Sequence, residues 1–255
     1  MILSDATKSD CALIRTTAPI VLNITNYVAM NVSANALLAI GASPLMSFFP
    51  DEMDELVAIS QSACINIGCL DNQQVEAMKR AVRALKSKGK PYVLDPVGVG
   101  ASHVRMAVCR ELISAYPPAV IRGNASEIVA LAGGSSSSCG VDSTVSSDDA
   151  LLLSSAKSLA LSSGSVVSVS GATDVIVAAD GLATSLSGGS PLMPRITAMG
   201  CTASAITAAF VAVNTDHFCA ALDAASVMKY AASCVRGARG TASFQTSFID
   251  ELSNI

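Results

Sequence analysis

The sequence predicts an α/β fold, a mainly parallel central sheet with helices on both faces. Three observations predict it. Short apolar runs alternate with helical stretches along the middle of the chain, the mark of repeated β-α-β units. The runs are apolar nearly throughout, as in strands covered on both sides. Hydrophobic residues make up 51% of the 255 and charged residues only 14%, enough to bury a large core and to leave some surface for partner subunits.

The elements follow in order. From Thr16 to Pro50 no residue is charged. A membrane span is excluded there by Asn23, Asn26, Asn31 and Asn35, costly in lipid, and by the breaks at Pro19 and Gly41. The segment reads instead as a buried strand, IVLNI, and a buried helix from about Val28 to Ile40. ACINIG is the next strand. Its helix carries Val75, Met78, Val82 and Leu85 on one face, a Glu76–Arg80 pair at i,i+4, and Gly89 as C-cap. PYVLD is a strand ending in Asp95, followed by the turn PVGVGAS and a helix near Val104–Ala115. AVIRG is a strand, and NASEIVALA a helix capped by Asn124 or Ser126. Residues 133–149, serine- and glycine-rich, read as a surface loop. A helix near Ala150–Ser162 precedes three strands, VVSVSG, DVIVAAD and LATSLSG, with Asp180-Gly181 as a hairpin turn. From Cys201 the chain is mostly helical. No linker and no internal repeat divides it, so residues 1–255 read as one domain.

Charge and cysteine usage exclude several functions. The net charge is −4, and no basic cluster suits a nucleic acid. Lys79, Arg80, Arg83, Lys86, Lys88 and Lys90 spread along one helix and its exit as a solvated face. The eight cysteines form no CxxC pair, and the two histidines have no ligand-like spacing to them, which argues against zinc. No basic start plus apolar run marks a signal peptide, so a cytoplasmic protein with reduced cysteines is expected.

Ligands in such sheets bind beyond the strand carboxyl ends. The polar residues expected there are Asp95, Arg122 with Asn124, Ser170 with Gly171, and the AMGC turn 198–201. VGVGAS lacks the last glycine of a dinucleotide fingerprint and follows Asp-Pro, whose carboxylate would repel a pyrophosphate. Asp95 and Glu127 suit Mg²⁺, or else cap a turn and a helix. Arg122 suits a phosphate, or else an ion pair with Glu127. Ser170 offers a hydroxyl at the same edge. Cys201 falls at a helix start whose amides and dipole would favour a thiolate, unless it merely packs under the turn.

Taken together, NITNYVAMNVSANALLAIGASPLM, DPVGVGAS, IRGNASEI, GVDS, SVSGATDVI and ITAMGCTASA resemble hydroxyethylthiazole kinase, of the ribokinase-like superfamily, in order and spacing over nearly the whole chain. The resemblance implies a ribokinase-like fold and ATP-dependent phosphorylation of the hydroxyl of 4-methyl-5-(2-hydroxyethyl)thiazole in thiamine salvage. It implies a homotrimer with active sites between subunits, which would suit the low charge. It implies thiazole contacts from Asn26 to Val28, at Met46 and at Gly68, and substrate contacts at the turn of Ala198 and Gly200, Ala198 through its amide. Arg122 and Ser170 become ATP contacts, the family more often having threonine at the latter position. Asp95 and Glu127 become the Mg²⁺ side, and Cys201 a catalytic residue where most of the superfamily has an aspartate base. A sister kinase for a pyrimidine or pyridoxal-type alcohol fits less well with TNYV and SPLM. A dehydratase of hydrated nicotinamide nucleotides would carry aspartate at position 201, and a regulator without turnover would not need both Asp95 and Glu127.

Overall fold

A computed structural model describes residues 2–133 and 149–255. The GVDS motif, Cys139 and all but the ends of the 133–149 stretch lie outside them. The chain runs α1 (Asp5–Thr17), β1 (Ile20–Ile24), α2 (Met30–Ile40), β2 (Ser43–Met46), α3 (Met53–Ile59), β3 (Ser62–Asn66), α4 (Asn72–Lys88), β4 (Tyr92–Asp95), α5 (His103–Ala115), β5 (Val120–Asn124) and α6 (Ala125–Leu131). It continues α7 (Asp149–Ser163), β6 (Val166–Ser170), β7 (Thr173–Val177), β8 (Ala183–Ser187), α8 (Met199–Val213), α9 (His217–Cys234) and α10 (Thr241–Ser253).

The eight strands form one sheet in the order β2-β1-β3-β4-β5-β6-β7-β8. The first six are mutually parallel, and β7 and β8 add antiparallel at the far edge. Strand side chains alternate between the two faces. Val21, Cys64, Val93, Val120 and Val166 pack against α1, α2, α8, α9 and α10. Their neighbours Leu22, Ala63, Tyr92, Leu94, Ile121 and Val167 face α3 to α7. Two cores therefore sandwich the sheet, as the apolar runs predicted.

Local chemistry fixes the helix ends. Ser4, Asp71, Ser102, Asn124 and Asp216 accept main-chain N–H bonds at the starts of α1, α4, α5, α6 and α9. Gly89 closes α4 at φ 62°, and Glu76 meets Arg80 at 3.0 Å. Lys79 pairs with Glu111 and Arg80 also with Asp51, as a solvated, ion-paired face requires, whereas Lys86 donates to the Ala115 carbonyl and Lys90 to those of Val57, Ala58 and Ser60. Three elements are additions to the sequence reading: α1, α3 and the edge strand β2. The hairpin joining β7 to β8 turns at Gly181, φ 90°.

Candidate active site

The parallel strands deliver their carboxyl ends to one edge of the sheet. Asn66 ends β3 and pairs in register with Asp95, which ends β4. Asn124 ends β5 beside Ser170, which ends β6. The first turn of α8 lies at this same edge, because Arg122 of β5 donates from Nη1 to the Gly200 carbonyl at 2.8 Å. The fold thus brings together Asn26, Gly68, Asp95, Arg122, Glu127, Ser170, Ala198, Gly200 and Cys201.

A chain of buried amides joins the two sides of the edge. Asn26 Nδ2 donates to Asn66 Oδ1 at 2.9 Å and reaches Cys201 Sγ at 3.2 Å. Its Oδ1 accepts from the Ala29 amide, which fixes the turn into α2. Asn66 Nδ2 donates to Asp95 Oδ2 at 2.6 Å. Gly68 N–H donates to Asn66 Oδ1 at 2.9 Å. A Cβ at Gly68 would stand 2.7 Å from Asn26 Nδ2 and 2.9 Å from Asn66 Oδ1, so only glycine lets this turn approach the amide pair. Arg105 secures the turn from outside, donating to the carbonyls of Ile67, Val97 and Gly68 at 2.6, 2.8 and 3.0 Å.

Asp95 and Glu127 are both buried. Asp95 Oδ2 accepts from Asn66 and, at 2.8 Å, from Ser204 Oγ, whereas no hydrogen bond reaches Oδ1 among the described residues. Burial first, and the Glu127 charge second, push the Asp95 carboxyl up to about 7. Burial also raises Glu127, against the pull of main-chain amides. Glu127 Oε1 accepts from Gly98 N–H at 3.0 Å and Oε2 from Asn124 N–H at 2.8 Å, completing a capping box. Glu127 is therefore a helix-capping residue and one of two mutually repelling buried carboxylates. Such a pair, with a free oxygen on Asp95, fits a divalent cation that keeps water ligands; no group of three His, Cys, Asp or Glu side chains suits a metal among the described residues.

The ion pair weighed between Arg122 and Glu127 does not form. Arg122 is 9% exposed and makes no ion pair within 4 Å among the described residues. A buried guanidinium so placed is a ready partner for an anion. Two residues before Gly200, Ala198 takes a left-handed φ of 64°, rare for a residue with a Cβ, and turns the chain into α8. Thr202 N–H makes the first helical bond, to Ala198 C=O at 2.8 Å. The Gly200 and Cys201 amides ahead of it make none among the described residues, which leaves donors for an anion. Ser170 Oγ donates to Gly123 C=O at 3.4 Å and is half-buried at this end.

At Cys201 the helix start favours a thiolate and burial opposes it. Burial, and then the Asp95 charge, push the thiol up to about 11 despite its place in the first turn of α8. A protonated thiol reacts slowly with alkylating agents. Iodoacetamide at pH 7.5 is expected to modify Cys201 at least about a hundredfold more slowly than a free-cysteine peptide. Mass analysis of the Cys201 peptide reads this, and rapid alkylation would contradict it.

Met46 ends β2 and Val28 stands in the turn after β1, on the side of the edge away from Arg122. Val28 is 61% exposed, beside Tyr27 at 55%, whose ring meets Phe48 edge-on at 5.6 Å. Sequence reasoning missed Asn66, Ser204 and Arg105. Asn66 carried a legible signal, a polar residue closing an apolar strand before glycine. Ser204, one serine among many in α8, carried none.

The sequence model of the hydroxyethylthiazole kinase family matches residues 11–255. A hydroxyethylthiazole kinase of Leptospira biflexa serovar Patoc is 45% identical over 247 residues, 96% of this chain and 91% of that protein. The solved structure of the hydroxyethylthiazole kinase protein from Pyrococcus horikoshii OT3 superposes with a TM-score of 0.88 at 32% identity, covering 99% of this chain and 94% of the other. A ribokinase-like superfamily protein from Enterococcus faecalis V583 gives a TM-score of 0.61 at 16% identity, covering 100% of this chain and 89% of that one, a likeness of fold alone.

Proposed function

The chain belongs to the hydroxyethylthiazole kinase family, and on that premise we propose how its site works. The protein is a ribokinase-like phosphotransferase. It transfers a phosphoryl group from ATP to the side-chain hydroxyl of 4-methyl-5-(2-hydroxyethyl)thiazole, a step of thiamine salvage. The observation that carries the site reading is the meeting, at one sheet edge, of an unpaired buried Arg122, the free amides at the start of α8 and a repelling carboxylate pair.

In this reading residues 1–255 act as one catalytic domain. Asn26, Val28, Met46 and Gly68 hold the thiazole ring, and Ala198 and Gly200 meet the substrate through main-chain groups. Arg122 and Ser170 bind ATP. Asp95 and Glu127 are the residues that would hold Mg²⁺, which would supply charge compensation for the phosphoryl group in transit. Phosphoryl transfer is loose at its transition state, so alignment and charge stabilisation dominate. Arg122 and the Gly200 and Cys201 amides face the charge that develops on the transferred group. Cys201, a neutral thiol, borders the reacting hydroxyl and shapes its position more than it removes a proton. Cys201→Ala is therefore expected to keep kcat within about tenfold, well short of the 10²–10⁴ roughly ascribed to a general base. Cys201→Asp is expected to be active with kcat rising through neutral pH, because burial and Asp95 would raise the new carboxyl too. An inactive, unstable aspartate variant beside a fully active alanine variant would place Cys201 outside the chemistry.

Assembly into a trimer completes the thiazole side. Tyr27, Val28, Leu38 and Phe49 are each more than half exposed in the segment that holds no charge, an apolar surface suited to another copy of the chain. Light scattering at assay concentration is expected to give three subunits. Leu38→Glu is expected to weaken assembly and to raise the thiazole KM about tenfold or more while sparing the ATP KM. A fully active monomer would rule this out. No described helix is long and apolar enough to cross a membrane. The free cysteines fit a reducing, cytoplasmic setting.

A panel assay tests the substrate. With ATP and Mg²⁺, the thiazole alcohol is expected to be phosphorylated far faster than a hydroxymethylpyrimidine or pyridoxal. Preference for either of those, or dehydration of a hydrated nicotinamide nucleotide, would move the protein to a sister activity.

A further inference from the structure

Lys229 is a buried cation that the reaction described above does not use. It stands in α9 and is 3% exposed. Its Nζ donates to three main-chain carbonyls, Gly171 at 3.0 Å, Ala172 at 3.2 Å and Gly188 at 3.4 Å. The Asp174 carboxylate lies 3.2 Å away, and Asp174 Oδ1 also accepts from Gly171 N–H at 2.8 Å. Four oxygens thus surround one ammonium.

These oxygens are not scattered. Gly171 and Ala172 form the turn that leaves β6 directly after Ser170, and Gly188 follows the last residue of β8. Because β7 is antiparallel to both neighbours, β6 and β8 end at the same edge of the sheet. That edge carries Arg122, whose charge is felt by Asp174. The lysine stem is packed as tightly as its head. Gly189, at φ +87°, lies where a Cβ would fall 2.8 Å from Met193 Sδ and 3.6 Å from Lys229 Cγ.

Burying an ammonium costs far more than burying a methionine of similar length, so an ion pair here is no simple gain in stability. What the ammonium does that an apolar side chain would not is hold carbonyl dipoles that otherwise repel one another. We propose that Lys229 is a positioning residue for the nucleotide: its ammonium fills a cage that a free monovalent cation would otherwise occupy, and so sets the turn after Ser170 that receives ATP. The inference rests on the assignment of Ser170 and Arg122 to ATP. Lys229 touches neither substrate. It acts through the Gly171–Ala172 turn, and it makes the enzyme independent of added monovalent cation.

The test uses steady-state kinetics with both substrates varied, in chloride salts of sodium, potassium, ammonium and tetramethylammonium. For the parent protein, kcat and the ATP KM are expected to agree within about twofold across all four salts; several-fold activation by potassium would overturn the inference. Lys229→Ala is expected to raise the ATP KM about tenfold or more and leave the thiazole KM within about twofold. Ammonium, which fits the emptied cage, is expected to restore much of the loss, and tetramethylammonium none. A parallel rise of both KM values, or no recovery with ammonium, would reduce Lys229 to a packing residue and overturn the proposal. Should Lys229→Ala not fold, Lys229→Met keeps the stem and is expected to show the same KM split with no ammonium recovery. Should that fail too, the parent's salt series decides. Failure of the ATP assignment would show separately, as unchanged ATP KM in Arg122→Ala and Ser170→Ala, and would take this inference with it.

Discussion

Asp95→Asn and Glu127→Gln are each expected to keep the fold and to lower kcat about a hundredfold or more at saturating Mg²⁺. Each substitution halves the negative charge that faces the proposed cation. Asparagine puts a neutral amide in place of a carboxylate whose Oδ1 takes no hydrogen bond among the described residues. The sign of the stability effect separates this reading from a structural one. The folded Asp95 carboxyl is raised from 3.8 to about 7, by burial and then by Glu127. A raised acid favours the protonated folded state, so this group's contribution to stability falls as pH rises between those two values. An uncharged asparagine removes that loss. Without metal at pH 8, Asp95→Asn is expected to melt no lower than the parent, and Mg²⁺ with ATP is expected to stabilise the parent more than the variant. Near-parental kcat in both variants would remove the carboxylates from the chemistry. A large fall in melting temperature would make Asp95 a structural acceptor for Asn66 and Ser204.

Arg122→Ala is expected to lower kcat/KM for ATP about 10²–10³-fold, an effect in the range of losing a phosphate-facing arginine. The guanidinium is buried and tied to the Gly200 carbonyl, and among the described residues it has no carboxylate within ion-pair distance. Its charge is felt by Asp95, Glu127 and Asp174, but its fork is left for an anion to engage. Gly200 approaches so closely that a Cβ there would lie 3.0 Å from Arg122 Nη1, which fixes the fork against the first turn of α8. Arg122→Lys is expected to recover little, because a lysine supplies charge without the planar fork. Melting temperatures without nucleotide are expected to change little. Isothermal titration with a non-hydrolysable ATP analogue, beside steady-state kinetics, measures both effects. Unaltered nucleotide affinity in the alanine variant would contradict the assignment.

Most of the architecture was legible because apolar runs and helical stretches follow one another at lengths that admit few alternatives. IVLNI, PYVLD and VVSVSG are strands with both faces covered, and their periodicity survives in one sequence. Two of the three elements missing from the sequence reading were lost for the opposite reason. β2 is a four-residue edge strand, half-buried, with a proline at its second position, so neither alternation nor full burial marks it. α1 buries only Thr7, Cys11 and Ile14, a stripe too thin to stand out.

At the site, residues that end strands were legible and residues that act across space were not. Asp95 and Ser170 announced themselves as polar residues at strand ends, and Arg122 as one near an end, though β5 runs on to Asn124. The amide chain through Asn66 needed the register of β3 against β4, which no local pattern contains. The state of Cys201 needed its depth and its distance from Asp95. Its helix start argued for a thiolate, and desolvation prevailed. Lys229 carried no signal in the sequence, because nothing in its own helix tells that its partners come from two turns more than forty residues away.

The most direct test follows the phosphorus itself. Incubate the protein with ATP, Mg²⁺ and 4-methyl-5-(2-hydroxyethyl)thiazole, and record ³¹P spectra over time. The account predicts loss of the γ-phosphate signal in step with a new phosphomonoester signal coupled to methylene protons, one ester formed for each ADP. Inorganic phosphate in place of the ester, or ATP left unconsumed, would contradict it.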